Sequence, residues 1–159
     1  MSVNSEACFN PAPFDELAGL ASAALRDCAL LPIDRVDESA ELGGEVVHAL
    51  IEAQGVPAAH LSLSAPRQLA QLIAAGMQGD QPDDPETRTS PDGALLELAN
   101  VLGRRLAAHF FGESHQVGSP TLRQEPPELT PDAAQCSVVL VTASGHPLRI
   151  DWVTRSARP

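Results

Sequence analysis

The chain has 159 residues, of which 43% are hydrophobic, and it carries a formal net charge of −11 at pH 7. This length and composition suffice for one domain with a buried core and are short for two. The negative charge argues against nucleic-acid binding, which needs a basic patch, and against adhesion to an anionic membrane leaflet.

The cysteines and the N-terminal residues predict a reduced, cytoplasmic protein. Cys8, Cys28 and Cys136 are odd in number, widely spaced and without a CxxC pair, which indicates neither a disulfide framework nor a zinc ribbon. The N-terminus lacks a basic segment followed by a long apolar run, and no stretch reaches transmembrane length. We therefore expect free thiols in a soluble chain.

The first part of the chain predicts one helix followed by three strands. Apolar residues at helical spacing indicate the helix, whereas β-branched residues and a polar–apolar alternation indicate the strands. A short turn at Gln54-Gly55 joins the second and third strands, which favours an antiparallel hairpin. The predicted elements are a loose lead-in at 1–12, a helix from Pro13 to about Cys28, and strands at Ile33–Val36, Glu45–Glu52 and Ala59–Ser64.

The second part predicts two helices followed by three strands. Leu69, Leu72, Ile73 and Met77 keep helical spacing after the break at Ala65-Pro66, and a turn at 145–147 makes the last two strands antiparallel. The remaining predictions are a loop at Gln78–Ser90, a helix at Ser90–Phe111, a strand region opening at Gly118–Thr121, an acidic Pro-rich loop at Glu125–Pro131, and strands at Cys136–Thr142 and Leu148–Val153. We expect a single α+β domain over 13–157, with a six-stranded antiparallel sheet and long helices packed on one face.

The segment Ser90–Phe111 is the most informative part of the sequence. Ser90 suits an N-cap, Pro91 the first helical position, and Asp92 the positive end of the helix dipole. At about 100° per residue, one face of this helix collects apolar side chains that should be buried. These are Leu95, Ala99, Leu102, Leu106 and Phe110, with Leu96 and Leu98 beside them.

The opposite face of the same helix is unusual because it carries few charged groups. Glu97 and Asn100 are three residues apart and therefore neighbours, with Arg104 one turn further on. The residues around them are mostly small, and an ordinary solvated face would be crowded with Lys, Glu, Gln and Arg. We predict a docking face with two working groups, surrounded by Gly93, Ala94, Val101 and Ala108.

Each of these residues also has an ordinary structural interpretation. Glu97 and Arg104 can simply solvate the helix, and Asn100, a poor mid-helix residue, can make a tertiary hydrogen bond. The five histidines show no spacing typical of metal ligands, and no phosphate-binding loop or serine-hydrolase motif is present. The histidines are therefore better explained as structural or exposed residues, and the sequence gives no support to nucleotide-driven or serine-hydrolase chemistry.

The string Glu97-Leu98-Ala99-Asn100-Val101-Leu102-Gly103, followed by Gly118-Ser119-Pro120-Thr121, resembles the CheX family of chemotaxis phosphatases, relatives of CheC and FliY. The family signature is an E-x-x-N pair on a long helix, with a Ser/Pro-containing strand start about twenty residues later. The order of elements also resembles that family over most of the chain. Two-site members carry a second pair on the first helix, where this sequence reads Glu16-Leu17-Ala18-Gly19, so the resemblance is to the single-site branch.

The resemblance implies hydrolysis of the aspartyl phosphate of a CheY-type response regulator. Asn100 would orient the attacking water, and Glu97 would pair with a Lys of the regulator, since positioning is much of what catalysis of phosphoryl transfer requires. Gly93, Ala94, Val101 and Arg104 would contact the partner. The resemblance also implies that the regulator supplies the Mg²⁺ ion, so that no metal ligand and no cofactor are expected in this chain.

Two further expectations accompany this resemblance. The alternative function is a binding or dimerisation module of the same fold that docks a signalling protein without turnover. CheX relatives self-associate, and a homodimer is expected here through the apolar strands Val138–Val141 and Leu148–Val153, whose edge would continue the sheet across a two-fold axis.

Overall fold

A computed structural model describes residues 14–78, 90–128 and 131–155. The predicted lead-in at 1–12 and most of the predicted loop at Gln78–Ser90 lie outside these ranges. The described part contains three helices and seven strands: α1 (Phe14–Ala29), β1 (Ile33–Val36), β2 (Val46–Gln54), β3 (Ala58–Pro66), α2 (Arg67–Gln78), α3 (Pro91–Phe111), β4 (Gln116–Val117), β5 (Thr121–Arg123), β6 (Ala133–Thr142) and β7 (Pro147–Arg155).

All seven strands form one antiparallel sheet in the order β1-β6-β7-β3-β2-β4, with β5 also paired to β2. The predicted α+β class and antiparallel sheet are confirmed. The strand count is seven because the region around Gly118 forms two short strands instead of one. Val117 pairs with Ala53, and Thr121 pairs with Leu50 further along the same strand. Pro120, which has no N–H to donate, lies in the interruption between them.

Both predicted hairpins are present. β2 and β3 pair along their length, from Val46 opposite Pro66 to Ala53 opposite Ala59. β6 and β7 are joined by a tight turn in which Gly145 adopts a φ of 89°, a conformation that suits glycine. The predicted break at Ala65-Pro66 is wrong, because β3 runs through both residues to Pro66, two residues beyond the predicted end at Ser64, and α2 begins immediately after it.

The helices cover one face of the sheet, as predicted. Alternation along β3 sends Leu61 and Leu63 into the core beneath the helices, whereas Ser62 and Ser64 occupy the other face. The largest fully buried side chain is Trp152 of β7. No helix in the described ranges is long and apolar enough to cross a membrane.

The structure corrects the predicted dimer edge. β7 is paired on both sides, to β3 and to β6, so Leu148–Val153 has no free edge. In β6, Leu140, Val141 and Thr142 are covered by β1, and the Val139 carbonyl accepts from the Asp37 N–H. Among the described strands, the edges of the sheet are β1 on one side and β4 with β5 on the other. The apolar character of β6 and β7 did not reveal this order, because a strand that packs against the core is apolar at the edge of a sheet as well as in its middle.

Candidate functional site

Helix α3 begins and ends as its sequence predicts. The Ser90 hydroxyl accepts a hydrogen bond from the Gly93 N–H at 2.9 Å, and Pro91 is the first helical residue. The helix ends at Gly112, which has a φ of 70° and whose N–H donates to the Ala108 carbonyl at 3.0 Å. Capping at both ends defines a 21-residue helix that carries the predicted site in its middle.

The buried side of α3 lies unusually close to the sheet. The buried apolar residues of the helix are Ala94, Leu95, Leu98, Ala99, Leu102, Leu106 and Ala107. Gly103 is buried as well, and a Cβ atom built there would lie 2.6 Å from Ile51 Cγ2 of β2. The glycine therefore permits close packing of helix on strand, and this packing determines which residues of α3 face outward.

The two predicted working groups both lie on the outward side of α3. Glu97 is exposed and Asn100 is partly exposed, so neither is a core residue. Asn100 is not solitary, because Arg104 Nε donates a hydrogen bond to its Oδ1 at 3.0 Å. Arg104 is itself exposed, and Gly93 and Val101 are half-buried beside the pair. The outer face is thus accessible and sparsely charged over two helical turns.

The prediction for Ala94 is wrong. Ala94 is fully buried, so it cannot contact a partner. It lies one turn before the buried Leu98 on the same flank of the helix, and both residues are covered by the rest of the domain. Conversely, Leu96 and Phe110, which were expected to be buried, are only partly so. The buried stripe is displaced around the helix relative to the one predicted from spacing alone.

Helix α1 borders the site, which the sequence did not indicate. Arg105 Nη1 of α3 lies 3.2 Å from Asp27 Oδ2 of α1. Burial raises the pKa of the neighbouring Cys28 thiol; Arg105 opposes that rise, and the charges of Asp27 and Glu97 add to it. Glu97 therefore lies within electrostatic reach of the end of α1. This arrangement depends on the packing of two helices distant in sequence, so no local motif could have revealed it.

The first helix holds no second site of the same kind. Glu16 of α1 contacts His109 of α3, with 3.1 Å between Oε2 and Nε2. At Gly19 the helix surface is open, with no atom within 4 Å of a constructed Cβ. The Glu16 carboxylate thus contacts another residue of the same domain, and Gly19 provides no carboxamide beside it.

A separate polar region lies on the sheet face opposite the helices. Asp151 accepts hydrogen bonds from Gln135, Ser137 and Arg149. Asp151, Gln135 and Arg149 line a cavity of about 300 Å³. The pKa of the buried His60 is lowered, mainly because burial disfavours the charged imidazolium. The positive charges of Arg155 and Arg123 lower this pKa further, whereas the negative charges of Glu52 and Asp151 raise it. None of the predicted site residues lines this cavity.

The described ranges contain no group of three or more His, Cys, Asp or Glu side chains placed to hold a metal ion. Cys28 and Cys136 are free thiols. What the outer face of α3 offers chemically is therefore hydrogen bonding and charge: one carboxylate, one carboxamide and one guanidinium within two turns. Such a set can orient a water molecule or a polar group of a partner.

Fold and site together define a single-sheet α+β domain that presents a Glu and an Asn on the outer surface of its longest helix. No protein-family model matches the sequence, and neither does any curated protein sequence. Solved structures do match, and they show that the chain has the fold of CheX and CheC-like proteins.

Three of these structures illustrate the likeness. The CheX of Borrelia burgdorferi, solved as a complex with CheY, BeF₃ and Mg²⁺, has a TM-score of 0.69 and 16% identity, covering 91% of this chain and 99% of that chain. The chemotaxis protein CheX of Desulfovibrio desulfuricans gives 0.63 and 16%, covering 89% and 97%. The CheX of Vibrio vulnificus gives 0.63 and 18%, covering 91% and 97%. The expected CheX-like fold is confirmed.

Proposed function

We propose that this protein is a phosphatase that hydrolyses the aspartyl phosphate of a CheY-type response regulator in chemotaxis or two-component signalling. The observation that carries the proposal is the accessible Glu97–Asn100 pair on the outer face of α3 in a CheX-like fold. The neighbour from Borrelia burgdorferi was solved with CheY, BeF₃ and Mg²⁺, which supports a regulator as the kind of partner.

In this proposal the domain supplies orientation and the regulator supplies the reacting group. Asn100 positions the attacking water in line with the phosphorus, a role that needs hydrogen bonding without added charge. Glu97 forms a charge pair with a Lys of the regulator and thereby sets the register of docking. The Mg²⁺ ion and the phosphoryl group belong to the regulator, and this chain adds no cofactor of its own.

The contact surface is made of the residues that surround the pair. Gly93 and Val101 are half-buried, and a partner surface can approach the helix closely over such small side chains. Arg104 and the exposed Ala108 extend the surface toward the C-terminal end of α3. Ala94 is left out of this surface because it is buried.

The second candidate function is a module of the same fold that docks a signalling partner without turnover. The observation that favours it is that the Glu–Asn pair on α3 has no counterpart on α1. There, Glu16 contacts His109, and Gly19 occupies the position where a second carboxamide would be needed. Binding of a phosphorylated regulator without accelerated phosphate release would support this alternative.

We also propose a cytoplasmic location and a homodimer. The described sheet edges at which a second copy could add are β1 and the β4–β5 side. Light scattering at high concentration tests the dimer, and a mass of only 16.7 kDa for the particle in solution would contradict it.

The decisive experiment measures phosphate release from a CheY-type regulator phosphorylated with a small phosphodonor, with and without this protein. Asn100→Ala should lower the catalysed rate about tenfold or more, because misplaced geometry can cost about 10²-fold. Glu97→Ala should weaken docking as well as turnover, since its charge pair forms with the partner. Binding to a BeF₃⁻-treated regulator should largely survive Asn100→Ala.

The matched control is Gln71→Ala, which removes an exposed carboxamide from α2 and should leave the rate unchanged. Thermal melts should show that Asn100→Ala folds normally, because Ala is the better helix former. Full activity of Asn100→Ala would leave the proposed mechanism without its central residue, and no acceleration by the wild type would favour the binding module.

A further inference from the structure

Arg104 differs from its neighbour Arg105 in what its guanidinium contacts. Arg105 bridges to Asp27 of α1 at 3.2 Å, whereas in the described ranges no carboxylate forms an ion pair with Arg104. Its Nε instead donates to Asn100 Oδ1 at 3.0 Å, one helical turn back. Within the described ranges, the side chain that hydrogen-bonds to the carboxamide of the proposed site is therefore an arginine.

The chemistry of this contact determines which end of the carboxamide faces outward. A guanidinium group has five N–H donors and no acceptor, so only the oxygen of Asn100 can face it. The Nδ2 amide group is then turned away from Arg104 and is the end left available to a docked partner. A solvated Asn without this neighbour would populate both orientations of its carboxamide.

We propose that Arg104 is a positioning residue that orients the carboxamide of Asn100 so that its N–H donors point at the docked partner. The effect of Arg104 on turnover rests on the proposed function, whereas its effect on the orientation of the Asn100 carboxamide is independent of that function. On docking, an N–H of Asn100 would donate to one lone pair of the attacking water. The other lone pair would form the new bond to phosphorus while the bond to the regulator's aspartate oxygen breaks and a water proton passes to a phosphoryl oxygen. Arg104 would act through Asn100 without touching the phosphoryl group.

The test compares Arg104→Met, Arg104→Lys and the control Arg105→Met in the phosphate-release assay. Arg104→Met keeps a long unbranched stem and removes every donor, so the turnover number should fall about three- to tenfold, the range for one net hydrogen bond. KM can rise as well, because Arg104 also lies on the proposed contact surface, so the fall in the turnover number is the diagnostic result. Arg104→Lys, which retains a donor, should recover part of the loss. Arg105→Met removes the same charge from the adjacent position and should leave the turnover number unchanged.

A double-mutant cycle separates positioning from direct contact with the partner. In an Asn100→Ala background, Arg104→Met should have no further effect on the turnover number, because the group it orients is gone. An equal loss in both backgrounds, or a change confined to KM, would show that Arg104 acts on the partner directly and would overturn the proposal.

The orientation has a readout that needs no activity. In ¹⁵N-labelled protein, the side-chain NH₂ resonances of Asn100 should shift in Arg104→Met and stay in place in Arg105→Met. If the wild type does not accelerate phosphate release but these resonances respond as expected, the proposed function fails and the orienting role stands. Unchanged resonances in Arg104→Met would refute that role, whatever the protein does to a regulator.

Discussion

Gly103→Ala is a sharp test of how α3 packs on the sheet. The new Cβ would lie 2.6 Å from Ile51 Cγ2, well inside the 3.4 Å at which ordinary contact begins. Ile51 is 2% exposed and β-branched, so its methyl group cannot swing aside and the helix must shift instead. Overpacking of this kind costs about 1–3 kcal/mol, against a gain in helix propensity of about 1 kcal/mol.

Gly19→Ala provides the matched control for this substitution. It makes the same chemical change within α1, where nothing lies within 4 Å of the new Cβ, so only the propensity gain remains. We expect Gly19→Ala to raise the free energy of unfolding by about 1 kcal/mol. The difference between the two variants then isolates the steric cost at Gly103, about 1–3 kcal/mol in favour of Gly19→Ala.

Urea unfolding of the wild type and both variants measures this difference in the free energy of unfolding. Thermal melts should agree, because Tm shifts by about 2–4 °C per kcal/mol for a chain of this size. A further arm uses Ile51→Ala, which removes the conflicting methyl group. In that background Gly103→Ala should become stabilising, because the added methyl group partly fills the cavity. Equal stabilisation by Gly103→Ala and Gly19→Ala in the wild-type background would refute the close approach.

Two further predictions concern the capped end of α3 and the buried histidine. Ser90→Ala removes the acceptor of the Gly93 N–H and should lower the free energy of unfolding by about 1 kcal/mol, measured by urea unfolding. The lowered pKa of His60 means that the unfolded chain binds a proton more readily than the folded one below about pH 6.5. The contribution of His60 to stability should therefore be level above pH 7 and fall as the pH drops below 6.5, and His60→Gln should reduce that fall. An unchanged pH profile in the variant would contradict this assignment.

The features that sequence predicted well depend on local chemistry. The start of α3 follows from the cap at Ser90 and the proline after it, and both hairpins follow from short turns between alternating strands. The outward placement of Glu97 and Asn100 follows from helical spacing alone. Such features need no knowledge of what packs against the element.

The features that sequence missed depend on neighbours distant along the chain. Ala94 and Phe110 each lie at the border of the apolar stripe, where burial is decided by the element that covers the helix. The strand order that makes β7 internal is set by assembly of the whole sheet. The contact of Arg104 with Asn100 was within reach, because residues four apart on a helix are neighbours, yet the direction of the carboxamide required coordinates.

The anchoring of α3 has a consequence for the kinetics of association. Because its apolar side is buried and both its ends are capped, the outward residues are held in place before any partner arrives. Little conformational entropy would then be lost on binding, and no folding step would precede it. Encounter with the partner proposed above should therefore be limited by diffusion and orientation, so that mutants of the outer face differ mainly in their dissociation rates.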